Sequence, residues 1–265
     1  MSQNIHATAI IESGAVIGEN VIIGAYSVIG GSVKIADGCQ IKSHVCIDGD
    51  TDIGESCTIF PFASIGHAPQ DLKYAGEKTQ LIIGRNNRIR EHVTMNPGTV
   101  SGGGKTVVGD NNLFMMGAHI AHDCILGNNV IMANNATLGG HVEVGNFVVI
   151  GGLSAVHQFV RIGDYAIIGG FSGVESDVIP YGRVKGERAH LAGLNLIGLE
   201  RQGFSKEAQK NLQKAFNQLF GIDGTLEQRL ESVENDFSGD ETVQKIIQFA
   251  KAKTKFPLCQ PAKRA

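Results

Sequence analysis

The chain has no tryptophan, and aromatic residues fill only 6% of its 265 positions. A core built on wide rings is therefore not indicated, and a narrow one is. No run of 18 or more apolar residues occurs, so no membrane span is expected. Formal net charge is only −3, which gives no electrostatic footprint for nucleic acid. The N-terminal residues lack a basic-then-apolar leader. The 5 cysteines show neither metal-ligand nor disulfide spacing, so a reducing, cytoplasmic setting is expected.

What the chain has instead is glycine, 35 residues of it, and isoleucine in strict order. Isoleucine recurs at every sixth position from Ile5 to Ile65. A helix needs a period of 3.6 and a flat strand a period of 2. A period of six fits short strands joined by corners, each segment sending one aliphatic side chain inward, which is the signature of a β-solenoid. The ladder resumes at Ile83, Ile89 and Met95, slips by one, and runs from Val108 to Val174. Glycine often follows the aliphatic residue, as at Gly18, Gly24 and Gly145, where a corner is expected to use its conformational freedom. Two positions before each aliphatic residue stands a small or β-branched one. Cys39, Cys57 and Cys124 fall in that column and read as buried core thiols; Cys46 and Cys259 have no assigned place. Three hexads closing a triangle give an 18-residue coil, with about 4.8 Å between coils.

Two stretches break the ladder. Residues 67–80 (HAPQDLKYAGEKTQ) read as an external loop, and 97–105 (PGTVSGGGK) as a mobile glycine-rich one. The solenoid is expected over residues 1–189. Beyond it, the spacing of Ala208, Leu212, Ala215, Phe216, Leu219 and Phe220 predicts a helix face. Thr225–Gln228 and Ser238–Glu241 read as capping boxes opening two more helices, so residues 190–265 are expected to form a small helical domain. The basic tail, KAKTKFPLCQPAKRA, is expected to fray.

The chemistry concentrates in one part of the repeat. His122, the Gly140–His141 pair and the His157–Gln158 pair lie about one coil apart and are expected to stack up a single edge, with His119 and Asp123 close in sequence. Two chemistries fit. Histidines at this spacing can hold zinc, as in the γ-type carbonic anhydrases, with His119 and His122 as the near pair. An imidazole can equally act as general base on a hydroxyl, with Asp123 fixing its tautomer. No serine or cysteine stands at a clear nucleophile position, which favours direct attack over a covalent intermediate.

The segments ASIGHAPQDLKYAGE, IREHVTMNPGTVSGGGKT, AHIAHDC, NNATLGGHVEVG, GGLSAVHQF and GLNLIGLERQGFS resemble the UDP-N-acetylglucosamine O-acyltransferase family. The resemblance runs from about residue 5 to 220. It implies a mainly β fold, a left-handed parallel β-helix of hexapeptide repeats with a small C-terminal helical domain. It also implies transfer of an (R)-3-hydroxyacyl chain from acyl carrier protein to the 3-hydroxyl of UDP-N-acetylglucosamine, the first step of lipid A synthesis. No metal and no cofactor beyond the donor's phosphopantetheine is implied.

On matching positions His122 is the general base, Asp123 its partner, and the Gly140 N–H the oxyanion donor. Asp71, Lys73, His119, His141, His157 and Gln158 match substrate contacts. Gly170 matches the acyl ruler, where glycine leaves room for a chain of roughly fourteen carbons. Asn195 and Arg201 match the uridine-diphosphate end. Ile197 and Gln202 depart from an acidic residue and a second arginine in some relatives. The family is a homotrimer with sites between chains, so Asp71 and His122 could serve one site from different subunits.

Leu153, Leu191 and Leu194 are candidates for the acyl path, and Arg161, Arg183, Lys185 and Arg188 for a surface meeting an acidic carrier protein. The competing functions are a coenzyme A-dependent amine acyltransferase, a zinc hydratase and a plain scaffold. The amine acyltransferase of the same pathway carries an N-terminal domain before its coils, which this sequence is not expected to have.

Overall fold

The computed structural model describes residues 4–187, 189–252 and 254–262. Strands of mostly two residues assemble, among the described residues, into three sheets of eleven, nine and eight strands. We call these the first, second and third sheets, in the order the chain visits them. Pairing is parallel and the register is eighteen residues: Ile5 lies on Ile23, and Ile23 on Ile41. The inward aliphatic column is sealed, with Ile29, Ile59, Ile65, Ile89, Ile120 and Ile150 all at 0% exposure. The small column is equally buried, Cys39, Cys57 and Cys124 included. This is a left-handed β-helix, and the residues that turn its corners show how the chain achieves it.

Among the glycines that follow the aliphatic residue Gly66 takes a positive φ, and Gly14, Gly38 and Gly117 do so elsewhere at the corners, but several others serve close contact instead. A Cβ on Gly145 would lie 2.4 Å from Asp164 Oδ1 and 2.7 Å from the Asp164 backbone nitrogen. Gly18 and Gly24 meet the next coil in the same way. The left-handed backbone falls instead two positions later, on eighteen described non-glycine residues such as Asn20, His44, Asn129 and Phe147. None of the eighteen is β-branched, the class that tolerates this region least. The cost is about 1–2 kcal/mol per residue. Stacking of successive rings offsets part of it, as in the ladder Tyr26, His44, Phe62, His92 with centroids 5.1–5.2 Å apart.

Both interruptions leave from the corner between the second and third sheets. Pairing of Ile53 with Ile83 spans thirty residues, twelve more than a coil, so the ladder keeps its phase. Pairing of Ile83 with Val108 spans twenty-five, seven more, which is the slip by one. Asn96 Nδ2 ties the base of the first loop by donating to His67 O at 3.0 Å.

The expected boundary at 189/190 falls inside a hairpin. Residues Gly182–Lys185 pair antiparallel with His190–Leu194, which therefore extend the first sheet. Four helices follow: α1 Leu196–Arg201, α2 Lys206–Leu219, α3 Leu226–Asp236 and α4 Glu241–Lys251. The α3 capping box on Thr225 and Gln228 is present. The one expected on Ser238 is not. Asp240 caps α4, accepting from the Thr242 and Val243 nitrogens at 3.0 and 3.2 Å. The tail does not fray over its described part. Cys259 N donates to Asp177 O at 2.6 Å and Leu191 N to Gln260 O at 2.9 Å, so residues 254–262 strap back onto the solenoid.

Candidate active site

The corner that carries both loops also carries the histidines. Its columns follow from the pairing. His122, Gly140 and Gln158 form one, and Asp123, His141 and Phe159 form the next, each of the latter in the left-handed region. The expected triple stack of imidazoles is thus not what forms. His122 and His141 sit in adjacent columns, rings edge-to-face at 5.1 Å. The third ring of the stack is Phe159, parallel to His141 at 4.3 Å. His157 stands one column further back, exposed, with its ring edge-on to Phe256 at 5.6 Å. His119 faces outward from the second sheet and bonds Thr94 Oγ1 at 2.7 Å.

His122 Nδ1 lies 2.7 Å from Asp123 Oδ2. Asp123 is fully buried at its side chain, and loop 97–105 makes that possible. Thr99 N donates to Asp123 Oδ1 at 2.8 Å and Thr99 Oγ1 to Oδ2 at 2.6 Å. Gly102 rests on the same carboxylate, where a Cβ would come within 2.0 Å of it. The loop expected to be mobile is the cover of a buried carboxylate, whose oxygens need such bonds in place of water. No sequence signal marked Thr99. A carboxylate only accepts, so Nδ1 is the donor side of this bond, and Nε2 is turned toward Gly140.

Gly140 makes room for that ring. A Cβ there would sit 2.5 Å from His122 Cε1 and 2.6 Å from Nε2. Gly140 is buried, and its N–H has no acceptor among the described residues. At the third-to-first corner the same position is satisfied by the coil above, as Asn128 N is by Asn146 Oδ1 at 2.8 Å. A buried N–H without a partner is rare, and here it lies beside the imidazole. Burial lowers the pKa of His141, and that of His119, below the usual histidine value.

A cleft of about 730 Å³ opens over these groups, lined by Asp71, Lys73, His122, His141, Gln158 and Lys255 among others. Asp71 and His122 thus meet within one chain. Ser101, Phe159 and Lys255 were not foreseen; only the last carried a signal, its place in a basic tail.

Besides His119 and His157, three more expected site residues lie outside the cleft. Gly170 is on the corner between the first and second sheets, with Leu153 and Phe171, both exposed. Asn195 caps α1, accepting from Gly198 N and donating to Tyr165 O at 2.9 Å, so its amide is committed. Arg201, exposed in the last turn of α1, and Gln202 lie by the third-to-first corner. Ile197 is exposed on α1. Leu191 and Leu194 are buried core rather than groove lining. Arg161 is not free for a partner: it pairs with buried Asp177 at 2.8 Å and covers the Phe249 ring at 4.3 Å. Arg183 and Lys185 are exposed; Arg188 lies outside the described residues.

Comparison with known proteins agrees with this architecture. The model of bacterial transferase hexapeptide repeats matches residues 14–49 and 105–140. The model of UDP-N-acetylglucosamine O-acyltransferase, domain 2, matches residues 177–258. A relative from Rickettsia canadensis (strain McKiel), named acyl-[acyl-carrier-protein]–UDP-N-acetylglucosamine O-acyltransferase, is 55% identical over 94% of both chains. This chain belongs to the UDP-N-acetylglucosamine O-acyltransferase family. It is an acyltransferase. The UDP-N-acetylglucosamine O-acyltransferase of Moraxella catarrhalis RH4 superposes with a TM-score of 0.94 at 41% identity, over 97% of this chain and 100% of that one. The UDP-N-acetylglucosamine acyltransferase of Campylobacter jejuni gives 0.91 at 41%, over 97% and 99%. Among the described residues no helix is long and apolar enough to cross a membrane.

Proposed function

We propose that the enzyme transfers an (R)-3-hydroxyacyl chain from acyl carrier protein to the 3-hydroxyl of UDP-N-acetylglucosamine, opening lipid A synthesis in the cytoplasm. The observation that carries the mechanism is the Asp123-bonded His122 beside the unpartnered Gly140 N–H. His122 Nε2 takes the proton as the sugar oxygen attacks the thioester carbonyl. The oxyanion is met by the Gly140 N–H. Collapse breaks the C–S bond, and the imidazolium returns its proton to the departing pantetheine sulfur. Asp71, Lys73, His141 and Gln158 line the acceptor's cleft.

His122, Asp123 and His141 also offer three ligand atoms within 4.8 Å, which is the basis for a metal reading. The geometry favours the hydrogen-bonded dyad. Both Asp123 oxygens already accept from donors at 2.6–2.8 Å, and a metal would have to displace them. The reading includes no cofactor.

Gly170, Asn195 and Arg201 lie away from the His122 cleft of their own chain, which fits a homotrimer with sites shared between copies. A Cβ on Gly170 would press on Gly152 O at 3.3 Å, so the position disfavours a side chain and fits a wall that an acyl chain passes. Arg183 and Lys185 remain the exposed cations for carrier docking.

The test is His122→Ala assayed with UDP-N-acetylglucosamine, its 3-amino analogue and a series of acyl carrier and coenzyme A thioesters. Loss of about 10²–10⁴ in kcat, with the sedimentation of a trimer unchanged, is expected. Near-normal turnover, or activity abolished by chelation and restored by zinc, rejects the general-base reading.

A further inference from the structure

We infer that Lys255, on the C-terminal strap, is a phosphate-binding residue of the cleft. The strap is pinned on the C-terminal side of this lysine. Asp177 N donates to Pro257 O at 3.1 Å, Cys259 N donates back to Asp177 O, and Leu258 and Cys259 are buried. Phe256 packs its ring against His157. The docking carries Lys255 to the cleft, where Nζ stands 3.8 Å from the centroid of Phe159. Phe159 in turn stacks on His141, so the ammonium is two aromatic steps from the reacting imidazole. Burial is the main cause of the lowered pKa of His141, and the Lys255 charge adds a little in the same direction.

Lys255 has no carboxylate partner among the described residues. The other charged groups lining the cleft are Asp71 and Lys73, on the facing loop. Buried Asp123 beneath it is already bonded. An ammonium held over a ring without a counter-ion keeps its hydrogen-bond donors for a ligand anion. The inference rests on the acyl-transfer reading, whose two substrates each bring such a group: the pyrophosphate of the nucleotide sugar, and the phosphodiester of the pantetheine arm. Both are phosphates, and the kinetic constants separate them.

Lys255→Gln and Lys255→Arg in the full chain provide the test. The Gln variant is expected to raise one KM about tenfold or more, with kcat changed by less than about threefold, and the Arg variant to restore it. A rise for UDP-N-acetylglucosamine assigns the pyrophosphate; a rise for the acyl carrier thioester assigns the pantetheine phosphodiester. Alkylation of Cys259, a strap residue whose thiol is buried against Ala189 O, monitors docking. A KM change accompanied by rapid Cys259 alkylation makes Lys255 a fastener of the strap and overturns the inference. So do two unchanged KM values. If the parent enzyme transfers no acyl group, the functional reading fails by itself. Calorimetric titration of parent and Gln variant with UDP-N-acetylglucosamine and with phosphopantetheine then decides Lys255, equal affinities for both overturning the inference.

Discussion

His122 keeps its position because Gly140 has no side chain. Gly140→Ala would push a methyl group into the imidazole, 2.5 Å from Cε1, and so move the base while leaving every hydrogen-bonding group in place. We expect kcat to fall about 10²-fold, with the thermal midpoint little changed, because a misplacement of about 1 Å at the reacting centre costs that much. Burial has a second consequence here. His141 and His119 both titrate below the ordinary 6.5 in the folded chain. As pH falls through that value the unfolded chain takes up protons first, so stability is full above it and declines below it. Thermal melts from pH 7.5 to 5 should show this decline, and His119→Asn should make it shallower. Much of this chemistry was legible in sequence: a one-coil spacing brings His122 and His141 to one edge. The exact column of each residue was not, since a difference of one position within a hexad leaves His157 one column short of the His122 column. Thr99 was invisible because a loop residue's partner is set by the fold around it.

Single strands of two residues have almost no stability of their own, so the element that matters is the stacked corner. Gly145→Ala tests it. The added Cβ would meet the Asp164 backbone nitrogen at 2.7 Å, and coils held by hydrogen bonds of 2.8 Å above and below cannot part. We expect a loss of about 1–3 kcal/mol in urea unfolding, against little effect from Gly239→Ala, which meets nothing within 4 Å. The isoleucine ladder announced the strands without ambiguity, because an inward column must be apolar at every turn. The corners were read only in part. Glycine suggested unusual angles, which Gly66 does adopt, but at Gly18, Gly24 and Gly145 it is the tight approach of coils that excludes a side chain. The left-handed positions carry asparagine, histidine and ring residues, which no periodicity rule singles out. Helix α4 was found but its cap was placed two residues early, since Ser238 and Asp240 are both competent caps.

At the level of the whole chain, one buried carboxylate joins the solenoid, helix α4 and the strap. Asp177 accepts from the Arg161 backbone at 2.9 Å and from its guanidinium at 2.8 Å, while its own backbone holds Pro257 and Cys259. Asp177→Ala leaves half-buried Arg161 without its counter-ion and should cost about 1.5–3 kcal/mol. The loss should appear first as exposure of Cys259, whose thiol burial holds at a pKa of about 11, to alkylating reagent at pH 8. The division of the expected site over three corners has a different origin. Sequence order cannot show that Gly170 and His122 fall on different corners, because that depends on which of three sheets each hexad joins.

The eighteen-residue register between Ile5, Ile23 and Ile41 makes the coil a module of fixed size. The first coils lie well before the two loops and contribute nothing to the cleft's lining. A prism of this kind can therefore gain or lose a whole storey at its foot while the chemistry upstairs stays where it was. An edit one residue short of a storey would turn every inward side chain out of line.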